Sequence, residues 1–390
     1  MRWRYRETVL TLCTLAFFAT MVGRLAISPV VPFITDDFAV SNSVIGLALT
    51  GMWMAYSASQ FPSGVLADRI GERYVILLAV GGTTVASLLV VTAPVLVLFL
   101  FGAVALGALA GLHYSVATTL LTETYDNLGT AIGIHNVGAP VAGLLTPPVA
   151  AWIGVRYGWR PAVALGTAAA VPVFLLFAWG IRPTEPKRPD EPMRDRFEIE
   201  PLFGLLSRPK IAFPVVLAVL CTFVWQAVAS FLPTFLIAHR GQSAELAGIA
   251  FAGYFVVQSP AQVGVGWFSD RFGRDSATAG CMALAAVGIG LLIAVPGPSG
   301  LLAAILLVGT GLSYQAALFP RFMDVLSERE QATGFGLVRS VYGIVAGAGP
   351  VTTGVLADSF GWGVSFAVLA ALLVVVLCAL VGNWVLSLGY

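Results

Sequence analysis

Charge is what this chain lacks. Only 11% of its 390 residues are Asp, Glu, Lys or Arg, less than half the roughly 25% of a soluble domain, so it cannot cover itself with polar surface. Cysteine is scarce too. Cys13, Cys221, Cys281 and Cys378 all lie in apolar stretches, with no C-x-x-C and no His at ligand spacing, which argues for packing residues and against disulfides or a metal centre. No G-x-x-x-x-G-K-[ST] loop supplies the nucleotide site of a primary pump, and no H-E-x-x-H or G-x-S-x-G marks an intramembrane hydrolase. A basic stripe for nucleic acid is missing as well, and the net charge is +1. The chain therefore reads as neither an enzyme nor a holder of a cofactor or metal.

What is present is hydrocarbon. Hydrophobic residues make up 58% of the sequence, in runs that repeatedly reach the length of about 20 residues needed to cross a bilayer. Runs such as "LLVVTAPVLVLFLFGAVALG" lack the two-residue alternation of a membrane barrel, which leaves helices as the way to satisfy every backbone group in lipid. Twelve are expected, at residues 8–32, 42–65, 74–93, 95–121, 129–154, 161–181, 211–238, 246–268, 276–296, 299–322, 331–356 and 363–386. The apolar part of the N-terminal stretch outruns a signal-peptide core and no A-x-A-like site follows, so it reads as the first span.

Of the 21 Lys and Arg residues, Arg24 and Arg339 fall inside spans, Arg156, Arg160 and Arg240 on one side, and the other sixteen on the side of the termini. The positive-inside rule places both termini in the cytoplasm of a cell-membrane protein. Residues 182–210, Pro-rich and of mixed charge, read as a cytoplasmic linker between bundles at 1–181 and 211–390. The halves repeat. A shift of 202 takes Gly64 to Gly266, Asp68 to Asp270, Arg69 to Arg271, Gly51 to Gly253 and Thr20 to Thr222, while "GLHYS" at 111–115 faces "GLSYQ" at 311–315. Parallel six-helix repeats point to a transporter with its substrate site near the midplane between the halves.

"GVLADRIGER" at 64–73 resembles the signature loop of the major facilitator superfamily, G-x-x-x-D-R-x-G-R-[RK], between the second and third helices. Gly64, Asp68, Arg69 and Gly71 match; Glu72 stands where the first basic residue is usual, and Arg73 keeps the second. "GWFSDRFGR" at 266–274, with Gly266, Asp270, Arg271 and Gly273, supplies the second copy. The resemblance implies a gating loop, with Asp68 against the start of the eleventh helix near Gln331, Asp270 against the start of the fifth, and Gly64 letting backbones approach. Such contacts form while the cytoplasmic side is closed and bias the protein outward.

Arg24 and Arg339 have no Asp or Glu near mid-span to neutralise them. A central Arg costs roughly 2.5–3.5 kcal/mol on insertion scales, and its planar fork matches carboxylate or phosphate oxygens, so the pair suggests a site awaiting an anion. The blander alternative is bonding to carbonyls freed at a helix break. "GRLAISPVVPF" around Arg24 is similar in outline to the first helix of the superfamily's organic-anion transporters, although His113 stands where those relatives usually carry a second Arg. His113 and His135 are candidate proton carriers, with Glu123 a third. Further candidate substrate contacts are Gln226 (the mate of Arg24), Asn136 (the mate of Arg339), Tyr56, Gln258, Tyr314, Gln315 and Tyr342, with Tyr114 and Trp225 beside them.

Together these features predict an all-helical, twelve-span, monomeric secondary transporter. It would move a small organic anion, a carboxylate, by alternating access, coupled to protons or a counter-anion. The alternative is proton-coupled drug or metabolite efflux, for which "GAPVAG" at 138–143 is a partial match.

Overall fold

The computed structural model describes residues 4–125, 127–190, 204–326 and 328–390, with all their side chains except those of residues 128 and 328–335. Among the described residues every regular element is helical. Eleven helices are long and apolar enough to cross a membrane: α1 (Tyr5–Phe38), α3 (Glu72–Thr92), α4 (Leu96–Thr124), α5 (Gly129–Tyr157), α6 (Trp159–Gly180), α7 (Pro209–Ala238), α8 (Ala244–Phe272), α9 (Arg274–Ala294), α10 (Gly297–Val325), α11 (Gly336–Phe360) and α12 (Trp362–Val385). The twelfth expected span is α2, Asn42–Ile70. At 29 residues it is about 44 Å long, but Ser57, Ser59, Gln60 and Ser63 make it the more polar one. Outward-facing large apolar side chains such as Trp179 (90% exposed) and Val97 (71%) would be intolerable in water and suit lipid.

The chain divides into two compact units, Met1–Ala39 with Leu47–Glu198, and Val40–Gly46 with Ile199–Tyr390. The start of α2 belongs with the second unit for a local reason. The Asp358 carboxylate accepts from the Asn42 and Ser43 backbone N–H groups at 3.2 and 2.8 Å and from Asn42 Nδ2 at 2.9 Å, a side-chain cap on donors that have no intrahelical partner.

Internal repetition is written in the joints. Gly71, Gly158, Gly273 and Gly361 each turn the chain from one helix straight into the next, with φ between +86° and +95°, a region that L side chains avoid. They connect α2–α3, α5–α6, α8–α9 and α11–α12, the same two joints in each half. Close approach repeats as well. A methyl on Gly107 of α4 would sit 1.9 Å from the Met52 carbonyl of α2, and one on Gly309 of α10 would sit 3.0 Å from the Tyr254 carbonyl of α8; both pairs are related by the shift of 202. Small residues let these backbones touch.

The carbonyls that end α3 and α9 are served differently. Arg160, at the start of α6, donates to the Ala93 carbonyl at 3.2 Å. In the second unit Arg240 donates to Leu292, near the end of α9, at 2.8 Å, and also to Gly297, which opens α10, at 3.1 Å. Each places a cation at the negative end of a helix.

Several spans are broken near their middles. A 3-10 turn, Ser28–Val30, interrupts α1; α4 breaks at Leu112 and α10 around Leu312, at the aligned "GLHYS" and "GLSYQ"; α5 breaks at Val137. Breaks free backbone groups that lipid cannot satisfy, so they belong where protein or a water-filled cavity faces them.

Candidate substrate site

Arg24 ends the first stretch of α1, one turn before the break, and is only 3% exposed. Nε donates to the Thr20 carbonyl at 3.2 Å and Nη2 lies 2.8 Å from Met21 Sδ. The guanidinium rests over Tyr56, 3.9 Å from the ring centre, with Trp53 at 5.4 Å. Two α2 aromatics three residues apart thus form its platform, brought close because Gly107 and Gly111 let α4 press on α2 at Met52 and Tyr56. Among the described residues no carboxylate pairs with Arg24. Carbonyl, sulfur and aromatic faces solvate a cation without neutralising it.

Cys13, Phe17, Thr20 and Arg24, spaced by four, three and four, lie along one face of α1. Two turns below Arg24, Phe17 stacks on His135 at 5.2 Å and on His113 at 5.9 Å, and the two imidazoles are 5.5 Å apart. Tyr114 completes the cluster, 5.3 Å from Phe17 and 5.9 Å from His135. Both imidazoles are fully buried, and none of their four nitrogens makes a hydrogen bond of ordinary geometry; the polar group that both approach is the Cys13 carbonyl. The α4 and α5 breaks deliver these rings, since His113 starts the second half of α4 and His135 nearly ends the first half of α5.

Other residues expected at the site fall into three groups. In the second unit Gln226 is buried with an unpartnered Oε1, and Arg339, half-buried, lies 5.8 Å from the Phe319 ring centre. Tyr342 stacks near Phe322 at 6.4 Å, and Gln315 is half-buried. A second group is committed to packing. Gln258 donates to the Tyr254 hydroxyl at 2.9 Å and to the Leu312 carbonyl at 3.0 Å, which pins α8 to the α10 break, and Tyr314 shares a hydrogen bond with Thr222 at 3.0 Å. Asn136 is exposed, beside buried His135. Glu123 forms the third case: it lies at the far end of α4 from His113, paired with Lys187.

In the loops, Asp270 pairs with Arg274 within its own unit, while Arg69 and Arg271 are exposed. The side chains near Gln331, where the partner of Asp68 is expected, lie outside those described. Among the described residues a methyl on Gly64 would meet nothing within 4 Å, whereas Gly107 and Gly111 bring α4 against the α2 backbone. The aromatic platform under Arg24 was missed in the reading of the sequence for Trp53, although its three-residue spacing from Tyr56 on one helical face was a visible signal.

A twelve-span helical repeat with a cation and two imidazoles buried among broken helices is the anatomy of a solute transporter. The chain belongs to the Major Facilitator Superfamily, whose sequence profile matches residues 13–243 and 215–386, and it is a multi-pass membrane transporter rather than an enzyme. A glycerol-3-phosphate transporter of Bacillus subtilis (strain 168) is 25% identical over 388 residues, spanning 90% of this chain and 87% of its own. A hexuronate transporter of the same organism is 22% identical over 379 residues, spanning 89% and 87%. Among solved structures, a bacterial homolog of the human lysosomal transporter Spinster aligns over 97% of both chains with a TM-score of 0.83 at 18% identity, which shows the fold.

Proposed function

We propose that this protein is a secondary transporter of a small organic anion, a carboxylate or phosphate ester, working by alternating access with both termini in the cytoplasm. Arg24 is the anion's anchor and Arg339 supplies the second cation. The observation that carries this reading is the Arg24 guanidinium, buried on Tyr56 and Trp53 with no carboxylate beside it among the described residues. A permanent internal partner would have removed the cost of burying the charge; leaving it to a passing anion makes that cost part of recognition. The relatives named for glycerol 3-phosphate and hexuronate point to the same ligand class. Coupling is to protons or to a counter-anion, with the His113–His135 cluster as the proton-carrying candidate.

The test is ligand-induced thermal stabilisation of the purified protein by glycerol 3-phosphate, a hexuronate and uncharged glycerol. Stabilisation by either anion, absent with glycerol and abolished in Arg24→Gln, is expected. Equal responses to glycerol and the anions, or an anion response that survives Arg24→Gln, would refute the assignment.

A further inference from the structure

The two signature-type loops differ in charge where they join the third helix of each half. In the second unit Arg274 opens α9, and its Nε pairs with Asp324 near the end of α10 at 3.2 Å. The shift of 202 takes Arg274 back to Glu72, which opens α3 and is 1% exposed. The end of α4 opposite carries Glu123. The first unit therefore faces carboxylate with carboxylate where the second pairs arginine with aspartate.

Lys187, from the segment that follows α6, fills the gap. Its Nζ lies 2.8 Å from Glu72 Oε1 and also pairs with Glu123. The chain around it is laid across the loop. Arg73 donates to the carbonyls of Ala178 at 2.6 Å and Ile181 at 2.8 Å. The Arg73 N–H donates to Thr184 Oγ1 at 3.0 Å, and the Arg188 N–H to the Asp68 carbonyl at 2.8 Å. A methyl on Gly71 would sit 2.5 Å from the Thr184 carbonyl, whereas one on Gly273 would meet nothing within 4 Å. The strap thus lies directly against the first loop glycine, whereas Gly273 has no such cover.

We propose that Lys187 is a positioning residue of the transporter, a cation lent by the linker in place of the one the first signature loop lacks, which straps residues 181–188 to that loop and holds the end of α4 to the start of α3. It acts through Glu72 and Glu123. Because α4 also carries His113 and Tyr114, the strap sets the anchorage of a helix that lines the candidate site. Neutralising this half-exposed lysine leaves two carboxylates facing each other, one of them buried, so the linker works as a charge-sensitive clamp.

Hydrogen exchange on the full-length protein in lipid nanodiscs tests this without any substrate, so its outcome is independent of the anion assignment. In Lys187→Gln, amides of 181–188 and of 118–124 should exchange at least tenfold faster than in the wild type, whereas Lys187→Arg should stay within twofold. In Glu72→Arg/Lys187→Gln, Arg at 72 can pair with Glu123 as Arg274 does with Asp324. The 118–124 segment should then recover to within twofold while 181–188 stays fast. Should arginine at the buried position misfold, Glu72→Gln/Lys187→Gln removes the facing charges instead and should give the same recovery at 118–124. Wild-type exchange at both segments in Lys187→Gln, or no recovery in either double variant, would overturn the proposal.

Discussion

Replacing Arg24 with methionine should not destabilise the empty protein, although it removes a buried side chain with several contacts. Burial of an ion carries an effective penalty of several kcal/mol even after relaxation. Against it stand the Tyr56 face at 3.9 Å, about 2 kcal/mol when desolvated, and Trp53 at 5.4 Å, about 0.5–1 kcal/mol. The hydrogen bond to the Thr20 carbonyl at 3.2 Å adds about 1.5–3 kcal/mol. These offset the penalty approximately, so the cation contributes close to nothing. Methionine keeps the apolar stem and its contact with both rings, and the expected change lies between zero and about 2 kcal/mol of stabilisation. In a thermal melt without anion, Arg24→Met should match the wild type or exceed it by a few degrees. At one hundred times the dissociation constant an anion adds about 2.7 kcal/mol to the wild type, and the variant should show none of this. A melt of the anion-free variant well below that of the wild type would mean that Arg24 is a structural cation, and would refute the reasoning.

Other expectations can be checked beside it. Gly107→Ala should cost at least about 1–3 kcal/mol or block folding, since its methyl would lie 1.9 Å from the Met52 carbonyl, whereas Gly64→Ala should express and melt like the wild type. Asp358→Ala removes the cap on Asn42 and Ser43 and should lower stability by about 1 kcal/mol, read from the melting temperature. For Lys187, burial alone would lower the ammonium, but the carboxylates of Glu123 and Glu72 outweigh it and hold it above the ordinary lysine value. With its folded value raised, the strap's contribution is fully present below about pH 10.4 and lost as pH rises through the folded value. Glu72 and Glu123 are the carboxylates that hold it, and protection of 181–188 relative to free-chain exchange should persist from neutral pH until that range.

The fold was legible because lipid leaves so few choices. Apolar length sets each span, and paired residues such as Gly107 and Gly309 or Gly71 and Gly273 carry the same steric duty in both halves. Arg24 was legible for a related reason, as a charge in an apolar run with no acid in reach. What could not be read was which polar side chains are already used. Gln226 and Gln258 look alike in sequence, yet Gln258 is spent on the α10 break while Gln226 keeps a free carbonyl oxygen; the difference lies in where Tyr254 and Leu312 fall in space. Glu123 likewise reads as a free acid until the linker brings Lys187 to it from more than sixty residues away. The departure at Glu72 was visible, but its compensation lay in a segment whose composition suggests only a spacer.

The most direct measurement is uptake of labelled glycerol 3-phosphate and a labelled hexuronate into proteoliposomes containing the wild type, Arg24→Gln or Arg339→Gln. The account predicts saturable uptake of at least one anion by the wild type. At an effective dielectric constant of about 20, an ion pair at 4 Å is worth about 4 kcal/mol, so loss of Arg24 should cut kcat/KM by about 30- to 1000-fold. Uptake by Arg24→Gln and Arg339→Gln at the wild-type rate would contradict it.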